Sequence, residues 1–414
     1  MNKLQVPFFR PDLREQEIQE VVATLRSGWL TTGSRVHRFE QEFGAALGTR
    51  HSIAVNSCTA ALHLAVEALG LKPGEAVLVP TMTFAATAEV IRYQGAIPIL
   101  VDCDPVTTNM DLDDAARKVA RLRSGRLLDG FSEDTPVVGI MPVHVGGMMM
   151  NIEEVKRFAS DRDLWIVEDA AHAFPASWRR SSDEPWQRCG EGTATITCFS
   201  FYANKTITTG EGGMAVTDDA RLAERVRLMS LHGLSHDAWG RYSGNGNWDY
   251  SIIAPGYKYN LTDIAAAIGI HQLARAEEMR RAREAIASRY LEALADVEEI
   301  ELPPQYPNRI HAWHLFPIKL RLNRLAVTRN LFVEKLKSHG IGFSVHWRPL
   351  HLHPYYQQAM QWRPEDCPVA TSVWQTLVSL PIFSGMLDDE LDYVIRTVKD
   401  LCSSSAYKSI RRTA

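Results

Sequence analysis

The chain has 414 residues, of which 45% are hydrophobic and 23% are charged, and its formal net charge is −4. These values are ordinary for a soluble globular protein long enough for two domains. The small net charge gives no reason to expect nucleic acid or a membrane surface as a partner. No apolar run approaches the roughly 18 residues that would span a bilayer, and the N-terminus does not have the pattern of a signal peptide.

The six cysteines are scattered along the chain and include no Cys-x-x-Cys pair. That distribution is typical of reduced, mostly buried thiols, and it argues against both a disulfide framework and a zinc site. We therefore predict a cytoplasmic protein and expect no bound metal. The cysteines are Cys58, Cys103, Cys189, Cys198, Cys367 and Cys402.

The first 50 residues contain two helical patterns on either side of the turn Gly28–Gly33, and short apolar runs then alternate with helical patterns as far as residue 168. Such alternation indicates an α/β fold built on a mostly parallel sheet covered by helices on both faces. Ligands of such sheets bind at the carboxyl ends of the strands. The predicted strands are 52–55, 76–79, 97–101, 137–142 and 164–168, and the predicted helices are 14–27, 35–47, 60–69, 85–94, 112–122 and 152–160.

The second half of the chain begins with two more apolar runs, at 195–201 and 214–217, which we interpret as strands. The stretch 262–295 predicts one or two long amphipathic helices with Thr262 as N-cap. We predict a large α/β domain over 1–255 and a smaller C-terminal α/β domain over 256–414. The C-terminal strands are predicted at 315–320 and 343–346, the helices at 329–339, 369–378 and 388–401, and surface loops at 121–136, 178–191 and 243–250.

Lys205 lies between the predicted strands 195–201 and 214–217, in a polar segment that ends in the glycine cluster Gly210–Gly213. Most lysines only solvate a surface, so the position alone is weak evidence for a function. A lysine between two buried strands is nevertheless a candidate for desolvation. Desolvation lowers the pKa of the amine and makes it a nucleophile for Schiff-base chemistry.

Three further groups directly follow predicted strands. Ser57 and Thr59 open a helix whose free N–H groups form an anion site, although the pattern alone favours an ordinary N-cap. Phe84 either stacks on a planar ring at the sheet edge or simply joins the core. Glu168 and Asp169 end a buried strand, where each carboxylate needs a charge or a donor. One role is to hold a proton on a heteroaromatic nitrogen; the alternatives are capping and metal ligation, and no second acidic cluster supports a metal.

These strand ends are predicted to meet at one edge of one sheet. They supply an anion site, an aromatic face, a carboxylate and an amine. Pyridoxal 5′-phosphate (PLP) needs one such partner for each of its phosphate, ring face, pyridine nitrogen and aldehyde. The combination therefore predicts PLP as cofactor, with a carboxylate that keeps the ring nitrogen protonated.

Four stretches in this order resemble the DegT-type sugar nucleotide aminotransferases: TAALH at 59–63, PTMTF at 80–84, VEDAAHA at 167–173 and FSF…K…GEGG at 199–213. The resemblance covers residues 6 to about 400, and it implies a PLP-dependent transferase with the aspartate aminotransferase fold (fold type I). Within the family, the stretches 27–33, 255–263 and 311–316 look closest to the branch that makes UDP-4-amino-4-deoxy-L-arabinose.

The resemblance also implies roles for individual residues. Lys205 would bond covalently to the cofactor aldehyde and, once freed as an amine, would move the proton of the amino acid substrate. Asp169 would pair with the pyridine nitrogen, His172 would lie near the phenolic oxygen, and Phe84 would stack on the ring. The implied phosphate ligands are Thr59, Ala60 and Ser200.

Members of the family are homodimers in which each active site is completed by the other subunit. Lys258 and Asn260 are implied to reach the phosphate or the substrate across the interface, and Thr31, Arg241 and His346 are candidates for the substrate side. The implied reaction has ping-pong kinetics. It moves an amino group from L-glutamate, which leaves as 2-oxoglutarate, onto a nucleotide-linked ketosugar such as a UDP-4-ketosugar.

Two other interpretations keep the same fold. PLP-dependent sugar dehydratases carry histidine where this chain has Lys205, so the lysine argues against that reaction. A catalytically silent, aminotransferase-like domain of a transcription regulator would need an appended DNA-binding module, for which no spare segment is evident.

A third interpretation, a nicotinamide dehydrogenase, would need a Gly-x-Gly-x-x-Gly turn after the first strand, and Asn56–Ala61 contains no glycine.

Overall fold

The computed structural model describes residues 4–127, 132–234 and 251–404. The predicted loop 243–250 therefore lies outside the described residues. The strands are β1 His51–Val55, β2 Ala76–Pro80, β3 Ile97–Val101, β4 Val137–Ile140, β5 Trp165–Asp169, β6 Ser177–Trp178, β7 Gln187–Arg188, β8 Ile196–Ser200, β9 Gly213–Thr217, β10 Ile300–Glu301, β11 Arg309–Ile310, β12 Phe316–Leu320 and β13 Leu377–Leu380.

Helices precede, connect and follow these strands. None of the helices among the described residues combines the length and the apolar character needed to cross a bilayer. The α-helices are α1 Glu15–Ser27, α2 Ser34–Leu47, α3 Cys58–Ala68, α4 Ala86–Tyr93, α5 Leu112–Arg123, α6 Ile152–Ser160, α7 Ala220–Ser230, α8 Asp263–Ala274, α9 Ala276–Ala293, α10 Arg329–Ser338, α11 Pro354–Met360, α12 Pro368–Thr376 and α13 Asp388–Ser403.

Seven strands form the large sheet, in the order β1-β9-β8-β5-β4-β2-β3. Neighbouring strands from β3 through β8 are parallel, whereas β9 is antiparallel to both β8 and β1. Strand β1 consequently points the same way as β8. The predicted α/β fold with a mostly parallel sheet is confirmed, and the carboxyl ends of β1, β2, β5 and β8 share one edge.

Both faces of this sheet are buried. Cys198 and Ala215 belong to the core on one side, whereas their neighbours Phe199 and Met214 belong to the core on the other side. Residues of α3, α4, α5 and α7 close the first core, and α2 and α8 contribute to the second. Burial on two faces explains why the strands are near-continuous apolar runs.

Several helices begin at a side chain that accepts one of their first N–H groups. Ser57 does so at α3, Asp111 at α5 and Asp219 at α7. Thr262 accepts the N–H of Ala265 at 3.3 Å, which confirms the predicted N-cap of α8. Each such cap stabilises a helix by about 1 kcal/mol. The predicted helical stretch 262–295 forms two helices, α8 and α9.

A further hydrophobic core surrounds the antiparallel sheet β10-β12-β13. This core contains residues from Ile286 onward and also Val6 from the N-terminal segment. Val6 forms a β-bridge with Ile341. Helix α8 packs instead against α1 and α2. The predicted division of the chain near residue 256 stays a prediction.

Two C-terminal predictions are wrong. The segment 343–346 is not a strand, because only Ser344 pairs, in a single bridge with Ser379, before the chain turns toward the sheet edge. The helix predicted over 369–378 ends at Thr376, and its last two predicted residues belong to strand β13, which pairs with β12. Helix α7 had no predicted counterpart. The predicted loop 178–191 contributes β6 and β7 to a three-stranded ribbon, in which Trp178 is buried.

Candidate active site

A cavity of about 590 Å³ lies at the carboxyl edge of the large sheet. Its walls come from the segments that follow β1, β2, β5 and β8, and from residues 344–347. The structure therefore brings most of the predicted site residues together. Those that line the cavity are Thr59, Phe84, Asp169, His172, Ser200, Lys205 and His346.

Lys205 lies in the turn after β8, where its N–H donates to the carbonyl of Tyr202 at 2.9 Å. Burial lowers the pKa of its amine to about 8, although Cys58 and Asp169 oppose the shift because they favour the charged form. At pH 7 roughly a tenth of such an amine is unprotonated, far more than for an ordinary lysine of pKa ~10.4. The unprotonated amine is the form that attacks a carbonyl carbon.

The pH at which Lys205 becomes reactive follows from this burial. In the cofactor-free protein we expect acetylation of Lys205 by acetic anhydride to rise with pH through a midpoint near 8, because only the neutral amine reacts. In the same reaction, the ε-amine of a free lysine whose α-amino group is blocked should give a midpoint of about 10.4. Peptide mass spectrometry gives both midpoints, and equal midpoints would contradict the desolvation of Lys205.

Asp169 is the last residue of β5, and its carboxylate is held on both oxygens. The hydroxyl of Thr87 donates to Oδ2 at 2.7 Å, and the N–H of Ala171 donates to Oδ1 at 3.1 Å. Burial raises the pKa of Asp169, while these hydrogen bonds and the charge of Lys205 act in the opposite direction. A carboxylate fixed in this way can hold a proton on a ligand nitrogen that faces it.

The side chain of Glu168 points to the opposite face of the sheet, as successive strand residues do. It accepts hydrogen bonds from Thr193 at 2.5 Å and Thr197 at 2.8 Å, and Nε2 of His144 lies 3.4 Å from its second oxygen. Together with Cys189, Glu168 and His144 form a group of possible metal ligands among the described residues. Burial raises the pKa of Cys189. Both hydrogen bonds to Glu168 reach Oε2, and Oε1 has no hydrogen-bond partner among the described residues.

The N-terminus of α3 opens onto the cavity. Ser57 accepts the N–H of Ala60 at 3.1 Å, so that this N–H is engaged within the chain. Cys58 and Thr59 carry first-turn N–H groups that have no partner inside the helix. Ser200, which carries a hydroxyl, also lines the cavity. A helix end with these groups is suited to a phosphate.

Gly213 allows β9 to pass directly against the start of α3. A Cβ at this position would lie 2.5 Å from the carbonyl carbon and oxygen of Ser57, which is closer than real side-chain contacts. The glycine cluster that follows Lys205 in the sequence thus permits a close backbone approach, and it keeps the N-terminus of α3 beside the cavity.

Phe84 and Trp347 are among the aromatic side chains that border the cavity. Phe84 is 65% exposed, so its ring faces the cavity and is not part of the core. This exposure argues against the core interpretation that the sequence left open, whereas stacking on a planar ring stays a prediction. Trp347 stacks on the ring of His172, with centroids 5.0 Å apart and planes inclined by 21°.

Three histidines lie near Lys205. Nδ1 of His172 accepts the N–H of Gly146 at 3.2 Å, and Nε2 of His314 lies 3.5 Å from Nζ of Lys205. Burial lowers the pKa of all three histidines, that of His346 to about 4, and the charge of Lys205 adds to the shift. They are therefore neutral at pH 7 and act through hydrogen bonds and ring contacts.

Comparison with known proteins identifies the family. The family model described as the DegT/DnrJ/EryC1/StrS aminotransferase family matches residues 11–399. The chain belongs to this family.

Relatives and solved structures match over almost the whole chain. An uncharacterized protein of Methanocaldococcus jannaschii is 42% identical over 403 residues, covering 97% of this chain and 98% of the relative. The spore coat polysaccharide biosynthesis protein SpsC of Bacillus subtilis is 40% identical over 397 residues, covering 96% and 97%. The putative sugar aminotransferase Spr1654 of Streptococcus pneumoniae, in its PLP form, has a TM-score of 0.84 at 30% identity, covering 96% and 99%.

The PMP form of the same Streptococcus pneumoniae protein also has a TM-score of 0.84. The chain is thus a PLP-dependent sugar aminotransferase with the aspartate aminotransferase fold. The predictions of fold, cofactor and enzyme class are confirmed. A particular closeness to the arabinose branch is not part of these findings.

The residues around the cavity fit the cofactor of this aminotransferase family. A helix end suited to phosphate, an exposed aromatic face, a buried carboxylate and a desolvated amine all border one space. Oδ1 of Asn204 is also buried at this wall, and it has no hydrogen-bond partner in the part of the chain that the structure describes. A ligand in the cavity can supply the partner that this atom lacks.

Thr87 orients the carboxylate of this aminotransferase, and Oγ1 of Thr83 lies 2.8 Å from Oγ1 of Thr87. We expect Thr87→Val to lower kcat roughly tenfold, because one oxygen of Asp169 loses its donor while the side-chain shape is kept. Thr83→Val leaves the bond to Asp169 in place and should lower kcat less. Steady-state kinetics with circular dichroism as a folding check tests this order, and equal effects of the two variants would contradict it.

The remaining predicted site residues lie elsewhere. Thr31 is exposed in the turn before α2. Lys258 donates from Nζ to Oδ1 of Asn260 at 2.7 Å, and Asn260 donates to Oγ1 of Thr32 at 2.7 Å. In the described chain, Thr31, Lys258 and Asn260 are not among the residues that line the cavity. The predicted contribution of Lys258 and Asn260 to a second subunit's site and the predicted substrate contact of Thr31 stay predictions. Arg241 lies outside the described residues.

Sequence reasoning missed three residues of the site. Thr87 contacts Asp169 across 82 positions of the chain, and His314 contacts Lys205 across 109 positions, so no local pattern pairs them. Some signal was present, because His314 belongs to the stretch 311–316 that carries the resemblance and Trp347 directly follows the predicted His346. Which residues contact Asp169 and Lys205, however, could be seen only in the folded structure.

Proposed function

We propose that this enzyme transfers an amino group from L-glutamate to a nucleotide-linked ketosugar, a UDP-4-ketosugar, in two half-reactions. The observation that carries the proposal is the convergence of Lys205, Asp169 and the N-terminus of α3 on one cavity of about 590 Å³. An amine, a carboxylate and an anion site there each meet a different part of PLP. Because one cavity serves both donor and acceptor, the kinetics are ping-pong.

The phosphate contacts are assigned to the first turn of α3 and to the strand beside it. The N–H of Thr59 has no partner inside the helix, and Ser200 adds a hydroxyl from the end of β8. These groups would hold a phosphate as helix N-termini commonly do. The contribution of Ala60 stays a prediction, since its N–H already donates to Ser57.

The ring contacts are assigned to Phe84, Asp169 and His172. Phe84 offers an exposed face, Asp169 would keep the ring nitrogen protonated, and His172 would contact the phenolic oxygen. When bound, PLP supplies an electron sink for the carbanion left by the departing α-proton. Lys205, as a neutral amine, accepts that proton at Nζ and returns it. Its pKa of about 8 lies close to neutral pH, which suits a group that must both accept and release a proton.

The carboxylates of L-glutamate need positive partners that the described cavity wall does not supply. Among the described residues that line the cavity there is no arginine, and Lys205 is the sole lysine. Carboxylates are bound most strongly by charge-assisted hydrogen bonds. We therefore propose a homodimer in which Lys258 and Asn260 of one subunit reach the site of the other, with Arg241 as a further candidate.

We assign the acceptor side of the site to His346, which lies against Trp347 in the cavity wall. Thr31, which does not line the described cavity, stays a further candidate for the substrate. The stretches 27–33 and 255–263 favour a UDP-4-ketosugar, because they carry the resemblance to the arabinose branch. The name of the Bacillus subtilis relative, a spore coat polysaccharide biosynthesis protein, favours a product that enters a surface polysaccharide. We place the reaction in the cytoplasm, since all six cysteines are free thiols.

A substrate panel tests the acceptor. Purified enzyme is incubated with L-glutamate and UDP- or dTDP-linked 3-keto and 4-ketosugars, and products are identified by NMR. We expect amination of a UDP-4-ketosugar with one 2-oxoglutarate released per amine formed. A kcat/KM more than about tenfold higher for a dTDP-linked or 3-keto substrate would overturn the sugar assignment while leaving the aminotransferase assignment intact.

A further inference from the structure

His314 is a buried histidine in the segment 311–315, which connects β11 to β12. Its Nε2 lies 3.5 Å from Nζ of Lys205, and its ring centroid lies 4.1 Å from that of His172. The C-terminal part of the chain thus supplies a direct contact to the lysine that follows β8 of the large sheet.

The segment around His314 is held firmly. Backbone hydrogen bonds of 3.1 Å join it to the carbonyls of Gly146 and Gly147, and the buried guanidinium of Arg283 donates to the carbonyl of Trp313 at 3.2 Å. Trp313 has a φ of +49°, in the left-handed region that is rare for a large side chain. Strained backbone of this kind persists only where the surroundings determine it, and it is common beside functional groups.

The ring of His314 is suited to accepting a hydrogen bond. Burial, reinforced by His172 and Lys205, lowers its pKa, so that the ring is neutral at pH 7. Its Nδ1 is buried without a hydrogen-bond partner among the described residues. An unpartnered buried polar atom costs free energy that an apolar side chain of similar size would avoid. The contact through Nε2 is what a histidine adds at this position.

We infer that His314 is a positioning residue whose Nε2 accepts a hydrogen bond from the amine of Lys205 and orients it while that amine is free. This inference rests on the proposed role of Lys205 as the proton-transferring amine. The side chain of lysine has four rotatable bonds. A hydrogen-bond acceptor restricts the amine to one orientation, so that a larger fraction of the molecules has the geometry needed for proton transfer. The other titratable groups that face Lys205 are Cys58, Asp169, His172 and His346.

Kinetics of the holoenzyme give the first test. In His314→Leu we expect kcat to fall about tenfold or more while KM for L-glutamate changes by less than about threefold, because orientation is lost and binding is kept. The isotope effect of α-deuterated L-glutamate should rise, since proton transfer becomes slower than the other steps. His314→Gln, whose side-chain oxygen can accept the same hydrogen bond, should recover part of kcat.

The acetylation midpoint of Lys205 in the cofactor-free full chain gives a second readout that does not depend on activity. In His314→Leu the charged ammonium of Lys205 loses a hydrogen-bond acceptor that stabilises it. The acetylation midpoint of Lys205 should therefore fall by about one pH unit from its value near 8. His339→Leu is the control. It removes a histidine at the end of α10 whose ring bonds to Lys335 and Ser338 of the same helix, so the midpoint of Lys205 should stay at the wild-type value.

Two outcomes overturn the inference. One is a kcat of His314→Leu within about twofold of wild type together with an unshifted midpoint. The other is an equal loss of activity in His314→Leu and His314→Gln with an unshifted midpoint, which would indicate that the histidine only supports the fold. Failure of the proposed role of Lys205 gives a different result. In that case Lys205→Ala would remain active, regardless of the effect of replacing His314.

Discussion

Lys205→Ala is expected to abolish transamination, with kcat/KM at least about 10⁴-fold below wild type. Lys205 is the sole amine among the described residues that line the cavity, so neither the covalent link to the cofactor nor the proton transfer has a substitute there. The visible absorbance of the protein-bound cofactor that borohydride reduces should disappear in this variant. Spectra before and after borohydride, together with the 2-oxoglutarate released, measure both losses.

The control for this variant is Lys72→Ala, which removes an exposed lysine after α3. It should keep the activity and the reducible absorbance of wild type. Circular dichroism and the mass in solution, each compared with wild type, check that both variants are folded alike. Full activity in Lys205→Ala would sink the assignment of the catalytic amine.

Asp169→Asn is expected to lower kcat by about 10³-fold while part of the cofactor binding is retained. The amide keeps the shape of the carboxylate but carries no negative charge, so it cannot hold a proton on the ring nitrogen. The proposed phosphate contacts at the N-terminus of α3 are untouched by this change. The rate at which L-glutamate alone converts the bound cofactor, followed by absorbance, separates chemistry from binding.

The matched control is Asp161→Asn, at an exposed aspartate after α6, which should leave kcat unchanged. Cofactor affinity, measured by titrating PLP into the cofactor-free protein, should fall less than kcat in Asp169→Asn. An unchanged kcat would mean that the carboxylate serves only the structure of the strand end. A complete loss of PLP affinity would mean that Asp169 acts mainly in binding.

Local patterns account for most of the secondary structure. The fully buried run of β2 and the cap at Thr262 are both recognisable in sequence, because side-chain period and capping involve neighbouring residues. The errors at 343–346 and 377–378 arise because strand pairing depends on residues far away in the chain. Leu377–Leu380 is a strand because β12 offers it a partner, and β12 lies more than fifty positions earlier in the chain.

The candidate site was predictable to the extent that it is made of strand ends. Phe84, Asp169 and Lys205 each follow an apolar strand, and the carboxyl ends of strands that point the same way must meet at one edge. The order of the four stretches then indicated the family, and the family model confirmed it.

The sequence by itself determined the sheet, the sheet edge that carries the site, and the amine and carboxylate that meet there. Only the tertiary structure decided which groups touch them: Thr87 on Asp169, and His314 on Lys205. It also decided that the pKa of Lys205 falls to about 8, because desolvation depends on everything packed around the amine. Contacts and burial of this kind join residues far apart in the chain, and no local pattern records them.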